Sequence, residues 1–216
     1  MKTIARIALA SALLLAGAAR AQTDAPATWD TYRPNQTIWL MNWEITGPIG
    51  DFGKYIDETS LRGFSFEGRS FIRNNVSVGL SFSWNRFYQT FDNASMPIAN
   101  GTASGPLYRY ADFFGIRGLG HYYFMQGPLQ PYAGLGIGGV WDYAYQQVAD
   151  LQTTQSHFDF ILSPEVGLLY TAVKGGTSIG LNVAFRYTFT TAKVGYNDAY
   201  KDLSSLSGIV GVTWGY

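Results

Sequence analysis

Residues 158–190, FDFILSPEVGLLYTAVKGGTSIGLNVAFRYTFT, decide the fold. In the second arm Ile179, Leu181, Val183, Phe185, Tyr187 and Phe189 alternate with Gly180, Asn182, Ala184, Arg186, Thr188 and Thr190. Successive side chains of a strand point to opposite faces, so one face is wholly apolar and the other small or polar. The first arm behaves alike. Phe158, Phe160, Leu162, Pro164, Val166, Leu168 and Tyr170 share a face, with Asp159, Ser163, Glu165, Gly167 and Thr171 opposite; Ile161 and Leu169 break the pattern. Between the arms, Lys174-Gly175-Gly176-Thr177 supplies the two glycines that a tight primed turn needs at positive φ. That turn sets a register with Glu165 opposite Arg186 and Val166 beside Phe185.

Alternation leaves open which face is the inside. In a soluble sheet the apolar face is the core; in a membrane barrel it meets lipid and the polar face lines the interior. The remaining chain favours lipid outside. Outward from this hairpin, the pattern predicts strands at about 38–46, 61–72, 76–85, 107–124 and 131–146, and a last strand ending at residue 216. Counting the hairpin arms, that is eight strands. Their connections run alternately long and short, the long ones at about 47–60, 90–106, 147–156 and 193–204. Several strands reach the ~9–11 residues of a tilted membrane crossing, longer than the ~5–6 usual in globular sheets. Lys54, Lys174, Lys193 and Lys201 all fall in predicted loops or turns. Aromatics gather near strand ends as two girdles: Tyr122, Phe124, Tyr170, Trp214 and Tyr216 at one end, Trp84, Trp141, Tyr143, Tyr187 and Phe189 at the other. The expected fold is all-β, an eight-stranded antiparallel up-and-down transmembrane β-barrel over residues 37–216.

The start of the chain agrees with export. Lys2 and Arg6 precede an apolar run, and Ala19-Arg20-Ala21 fits a cleavage site, which predicts a signal peptide at 1–21 and a polar lead-in at 22–36. Without Lys2, Arg6 and Arg20, the 15 basic residues fall three short of the 15 acidic ones, a balance that gives nucleic acid no foothold. The absence of cysteine excludes a disulfide framework, a thiolate metal site and a lipidated N-terminal cysteine.

On these strands, girdles and loop lengths, the chain resembles the small outer-membrane β-barrel proteins of Gram-negative bacteria, the group that includes the OmpA barrel domain, OmpX and the opacity-type proteins. Its ending, Val210-x-Val212-x-Trp214-x-Tyr216, is similar to the C-terminal signal that the outer-membrane insertion machinery reads in that group, with Tyr in place of the more usual Phe. The resemblance implies residence in the bacterial outer membrane with both termini periplasmic. It also implies contact with outer-membrane lipids and lipopolysaccharide, and a monomeric state.

The predicted lumen face collects Glu44, Glu67, Arg69, Arg117, His121, Asp142, Glu165 and Arg186. Charges in a narrow interior must pair, and eight strands leave room for little beyond side chains. A salt-bridge plug centred on Glu165 and Arg186, with Arg117 at a similar height, is therefore expected in preference to an ion path. The glycines Gly134, Gly136 and Gly138 would let bulky charged side chains lie flat across their strand. Gly134 to Gly139 formally matches a dinucleotide-binding pattern but sits inside a strand with no helix after it.

Two histidines, His121 and His157, are too few and too far apart in sequence to announce a metal site, and no cofactor is expected. Lipid A deacylases of this size place His and Ser two residues apart, but here Tyr123 follows His121 and Asp159 follows His157. A palmitoyl transferase would need His, Asp and Ser near the outer rim, and only Ser156, His157 and Asp150 or Asp159 offer them. The reading is a non-enzymatic barrel serving envelope integrity or binding an extracellular ligand through its loops. The alternative is a narrow channel or transporter for small or hydrophobic solutes.

Overall fold

The computed structural model describes residues 36–98, 101–148, 151–174, 177–195 and 198–215. The predicted signal peptide, the lead-in before residue 36, Gly175, Gly176, Asp150 and Tyr216 lie outside them.

Eight strands close into an antiparallel barrel: β1 (Thr37–Ile49), β2 (Ser60–Arg73), β3 (Val76–Ile98), β4 (Gly101–Tyr123), β5 (Leu129–Val148), β6 (Leu151–Lys174), β7 (Thr177–Thr190) and, after a short two-stranded sheet of β8 (Lys193–Val194) and β9 (Tyr200–Lys201), β10 (Ser204–Gly215). Each strand pairs with its neighbour in sequence, and β1 closes the ring on β10 from Ile38↔Gly215 to Ile49↔Ser204. The first strand thus starts and the last one ends at the same end of the barrel, here called the base. The opposite end is the rim.

The β6–β7 hairpin has the register its turn dictates, with Glu165 opposite Arg186, Val166 opposite Phe185 and Lys174 opposite Thr177. Its alternation also resolves the inside from the outside. Leu80, Ile116 and Ile179 are 68%, 63% and 67% exposed, whereas Glu67 and Arg69 are fully buried. A protein with its leucines outside and its carboxylates inside belongs in lipid. Along the exposed apolar band the girdle side chains among the described residues point outward, and several anchor their polar tips at its margin. Trp141 Nε1 donates to Ser156 Oγ at 2.6 Å, Trp84 Nε1 to Asp112 Oδ1 at 3.2 Å, and Tyr187 Oη lies 3.0 Å from Ser204 Oγ. Arg86 and Asp112, paired at 2.8 Å on the outer surface, mark where that band gives way to water. Trp43 joins them with a 2.7 Å bond to the Leu61 carbonyl, although it was absent from the predicted girdles.

The rim departs from expectation in two ways. The predicted loops at 90–106 and 147–156 are largely strand: β3 and β4 pair as far as Ile98 and Gly101, and β5 and β6 as far as Val148 and Leu151. These four strands, 20 to 24 residues each, overtop their 12- to 14-residue neighbours as a free-standing wall. Above the lipid no face has to be apolar, so the alternation that betrays a strand fades while its hydrogen bonding persists. Second, the polar stretch 47–60 holds a one-turn helix, α1 (Asp51–Tyr55), which buries Phe52, Tyr55 and Ile56 in the mouth of the barrel. Phe52 packs edge-on against Phe87 and Phe113 at centroid distances of 4.7 and 5.3 Å.

A closed barrel unfolds slowly enough to resist detergent. Membrane-extracted protein run unboiled on a denaturing gel will migrate differently from the boiled chain, and a single coincident band would contradict the closed barrel.

Candidate functional site: the closed lumen

The lumen is filled in three tiers. At the base, Ile38, Leu40, Phe71, Tyr123, Tyr132, Leu169, Ala184 and Ile209 form an apolar cluster. At the rim, α1 and the β8–β9 sheet bring Phe52, Tyr55, Ile56, Val194 and Leu203 against Phe87, Phe113, Val140 and Ile161. The two residues that broke the alternation of the first hairpin arm, Ile161 and Leu169, thus belong one to each cluster. Arg109 lies over the Tyr55 ring, 4.7 Å from its centroid, and donates to the Tyr55 carbonyl at 2.6 Å. Burial pushes the Tyr55 phenol up to about 12, with the Arg109 charge pulling the other way.

Between the clusters lies the charge layer. Arg186 is its hub: Nε donates to Glu165 Oε2 at 2.7 Å, Nη1 to Glu44 Oε1 at 2.6 Å and Nη2 to Glu67 Oε1 at 2.5 Å. Arg69 binds Glu67 Oε2 through Nε and Nη2, at 3.0 and 2.6 Å, and reaches Glu165 Oε1 at 3.1 Å. Glu44 also accepts from Asn85 Nδ2 at 3.1 Å. All five charged groups are buried, so each depends on the others for the solvation that water would give. His121 Nε2 lies 3.7 Å from Glu165 Oε1.

Six of the eight lumen residues read from the sequence therefore meet in one network. The other two stand apart from it. Arg117 has no carboxylate within ion-pair distance among the described residues; it donates to Ser163 Oγ at 3.1 Å and Ser81 Oγ at 3.3 Å. Its charge still balances the layer, because Glu44, Glu67 and Glu165 face Arg69, Arg117 and Arg186. Asp142 lies nearer the rim, opposite His157 in the β5–β6 register. Two of the three β5 glycines act as the sequence suggests: His121 lies flat across Gly134, and the Arg117 stem would stand 3.3 Å from a Cβ at Gly136, whereas a Cβ at Gly138 would meet the backbone of Ile116 and Arg117.

Tyr132 is the member that sequence reasoning missed. Its hydroxyl donates to Glu165 Oε1 at 2.7 Å and lies 2.9 Å from Asn182 Oδ1, while Arg69 stacks over its ring at 4.8 Å. The ring lies over Gly167, where a Cβ would stand 2.6 Å from Tyr132 Cζ. Parity had placed Tyr132 on the lumen face, but a tyrosine at a strand end reads first as a girdle residue. Above the layer a cavity of about 40 Å³ remains, lined by Glu44, Thr46, Asn85, Arg117 and Phe52 among others. That is room for a few water molecules.

The residues considered for acyl transfer separate. Ser156 accepts its bond from Trp141 on the outer surface, whereas its neighbour His157 turns inward toward Asp142.

An apolar exterior, a polar interior with a paired charge layer and nearest-neighbour antiparallel pairing define an eight-stranded transmembrane β-barrel of the outer-membrane type. Comparison with solved structures gives the same class. The chain is similar to Neisserial surface protein A, at 15% identity and a TM-score of 0.52, over 82% of this chain and 95% of that one. It is also similar to Ail, the attachment invasion locus protein of Yersinia pestis (11% identity, TM-score 0.49, 86% and 100% covered), and to the N-terminal β-barrel domain of Pseudomonas aeruginosa OprF (12%, 0.44, 86% and 100%). At these identities the likeness is one of fold. No protein-family model and no curated protein sequence matches the chain.

Replacing Arg186 with Ala leaves Glu44 with no guanidinium and Glu67 and Glu165 with Arg69 alone, and the variant will lose roughly 3–5 kcal/mol of stability in urea titrations of the refolded barrel. Unchanged stability would mean that water reaches the layer. Tyr132→Phe leaves the packing and removes one hydroxyl from Glu165, for a smaller loss of about 1–3 kcal/mol.

Proposed function

We propose that the protein is an integral outer-membrane barrel, with both ends of the chain on the periplasmic side and the rim outside the cell. In this reading it does no catalysis and passes no solute. It acts in envelope integrity or through contacts that the rim makes with an extracellular ligand. One observation carries the reading: among the described residues, charge layer, base cluster and α1 lid occupy the lumen at three successive heights, which supports a lumen closed to solutes. What stays open to the surroundings is the rim wall of β3–β6 and the α1 and β8–β9 segments beside it. Loops and projections on a rigid scaffold are where binding resides. The C-terminal pattern Val210, Val212, Trp214 and Tyr216 supports delivery by the outer-membrane insertion machinery, and the apolar band supports contact with lipid and lipopolysaccharide. Nothing in this role needs a second copy of the chain.

Purified protein in planar lipid bilayers will show no steps above the bare membrane. Trimming the β3–β4 hairpin at residues 90–106 will leave the heat-dependent gel shift intact while abolishing attachment of expressing cells to a surface that the full chain binds. Steady conductance from the intact chain would move the assignment to the narrow channel.

A further inference from the structure

Every buried carboxylate of the charge layer has a guanidinium partner, but Asp142 has none. It is fully buried, yet neither of its carboxylate oxygens has a hydrogen-bond donor among the described residues. The nearest basic group is His157, whose Nδ1 lies 3.7 Å from Asp142 Oδ2, beyond a hydrogen bond. The surroundings make this orphaned group costlier. Phe113 is its cross-strand neighbour on β4, and Val140 and Ala144 flank it on its own face of β5, all three part of the rim cluster. An uncompensated carboxylate in such a shell is unfavourable by several kcal/mol in general.

A second carboxylate stands beside the first. Asp159 follows His157 on the same face of β6, and one ligand atom from each of Asp142, His157 and Asp159 lies within 4.8 Å of the others. Asp159 Oδ1 accepts from Thr191 Oγ1 at 3.1 Å, a bond that fixes the group without neutralising it. Two carboxylates so close repel unless a cation or a shared proton lies between them. No lysine or arginine contacts either group among the described residues.

We propose that Asp142, His157 and Asp159 bind a divalent transition-metal cation, with Zn²⁺ as its representative, in the inner face of β5–β6 just below the rim. The ligand set selects the ion. One imidazole nitrogen with two carboxylate oxygens suits a borderline cation such as Zn²⁺ better than Mg²⁺ or Ca²⁺, which take oxygen alone. Tetrahedral bonds of about 2.1 Å put ligand atoms roughly 3.4 Å apart, within reach by small side-chain rotations from the positions described. The imidazole of His157 is 45% exposed, so a cation enters from its side and keeps water on its open positions. The site joins β5 to β6 at the foot of the tall wall, and through the Asp159–Thr191 bond it touches the segment leading to β8.

The test uses the full mature chain, refolded in detergent and prepared without a histidine tag, titrated with ZnCl₂ by calorimetry. One equivalent will bind saturably, and His157→Gln, Asp142→Asn and Asp159→Asn will each weaken binding at least tenfold. Each variant's gel shift reports that it has folded; His157→Gln is the least disruptive because the side chain is half in water. Because the chain has two histidines, ring NMR signals supply a site-specific readout: Zn²⁺ will move those of His157 and leave those of buried His121 in place. In metal-free buffer Asp142→Asn will be at least as stable as the parent, since it removes an unpaired charge. Absence of saturable binding, His157→Gln binding as tightly as the parent, or Ca²⁺ displacing Zn²⁺ at equal concentration would each overturn the proposal.

Discussion

Taking charge out of water is the constraint on which this barrel is built. An eight-stranded lumen is too narrow to hold bulk water and too wide to leave empty, so its contents must solvate one another. Arg186 meets that demand by spreading one guanidinium over carboxylates from β1, β2 and β6. Arg69 does the same for two of them from the other side, and Tyr132 with the asparagines takes up remaining lone pairs. The apolar clusters at base and rim follow from this arrangement, because the pairing holds best where water is kept from competing. Such a network is weak evidence for net stability, but once present it cannot lose a member cheaply.

Much of this was legible in the residues. Alternation, the Gly-Gly turn and the resulting register place Glu165 against Arg186 from the residues alone, because a period of two leaves a strand no freedom about which side chains share a face. The lipid-facing band was legible for the same reason: hydrocarbon tolerates no charge, so its margins show in where charged residues stop. What escaped is what those constraints do not reach. Above the band, β3–β6 continue as strand with a mixed surface and read as loop. The short α1 was hidden because a single helical turn carries no period, and Phe52 and Tyr55 look like scattered aromatics in a polar stretch. Tyr132 was ambiguous, since tyrosine serves equally at an interface and in a polar core.

Distance along the chain hid the remaining feature. His157 and Asp142 are separated by the whole β5–β6 connection and meet because the strands pair in register. Spacing rules for metal ligands assume that the ligands sit on one local element, so a cross-strand set gives no spacing to read. The same limit applied to acyl-transfer chemistry, in the opposite direction. Ser156 and His157 are neighbours in sequence, and the pleat sends them to opposite sides of the wall.

The bond between Arg186 and Glu44 spans 142 positions of the chain, and it has a temporal meaning. Glu44 belongs to the first strand made and Arg186 to the seventh, so the layer stays electrically unbalanced until nearly the whole polypeptide is available. A half-assembled sheet entering a bilayer would carry bare carboxylates into hydrocarbon. A sheet that lacks β1 or β7 leaves Arg186 without Glu44 or Glu44 without Arg186, so the layer is electrically complete only in the closed ring.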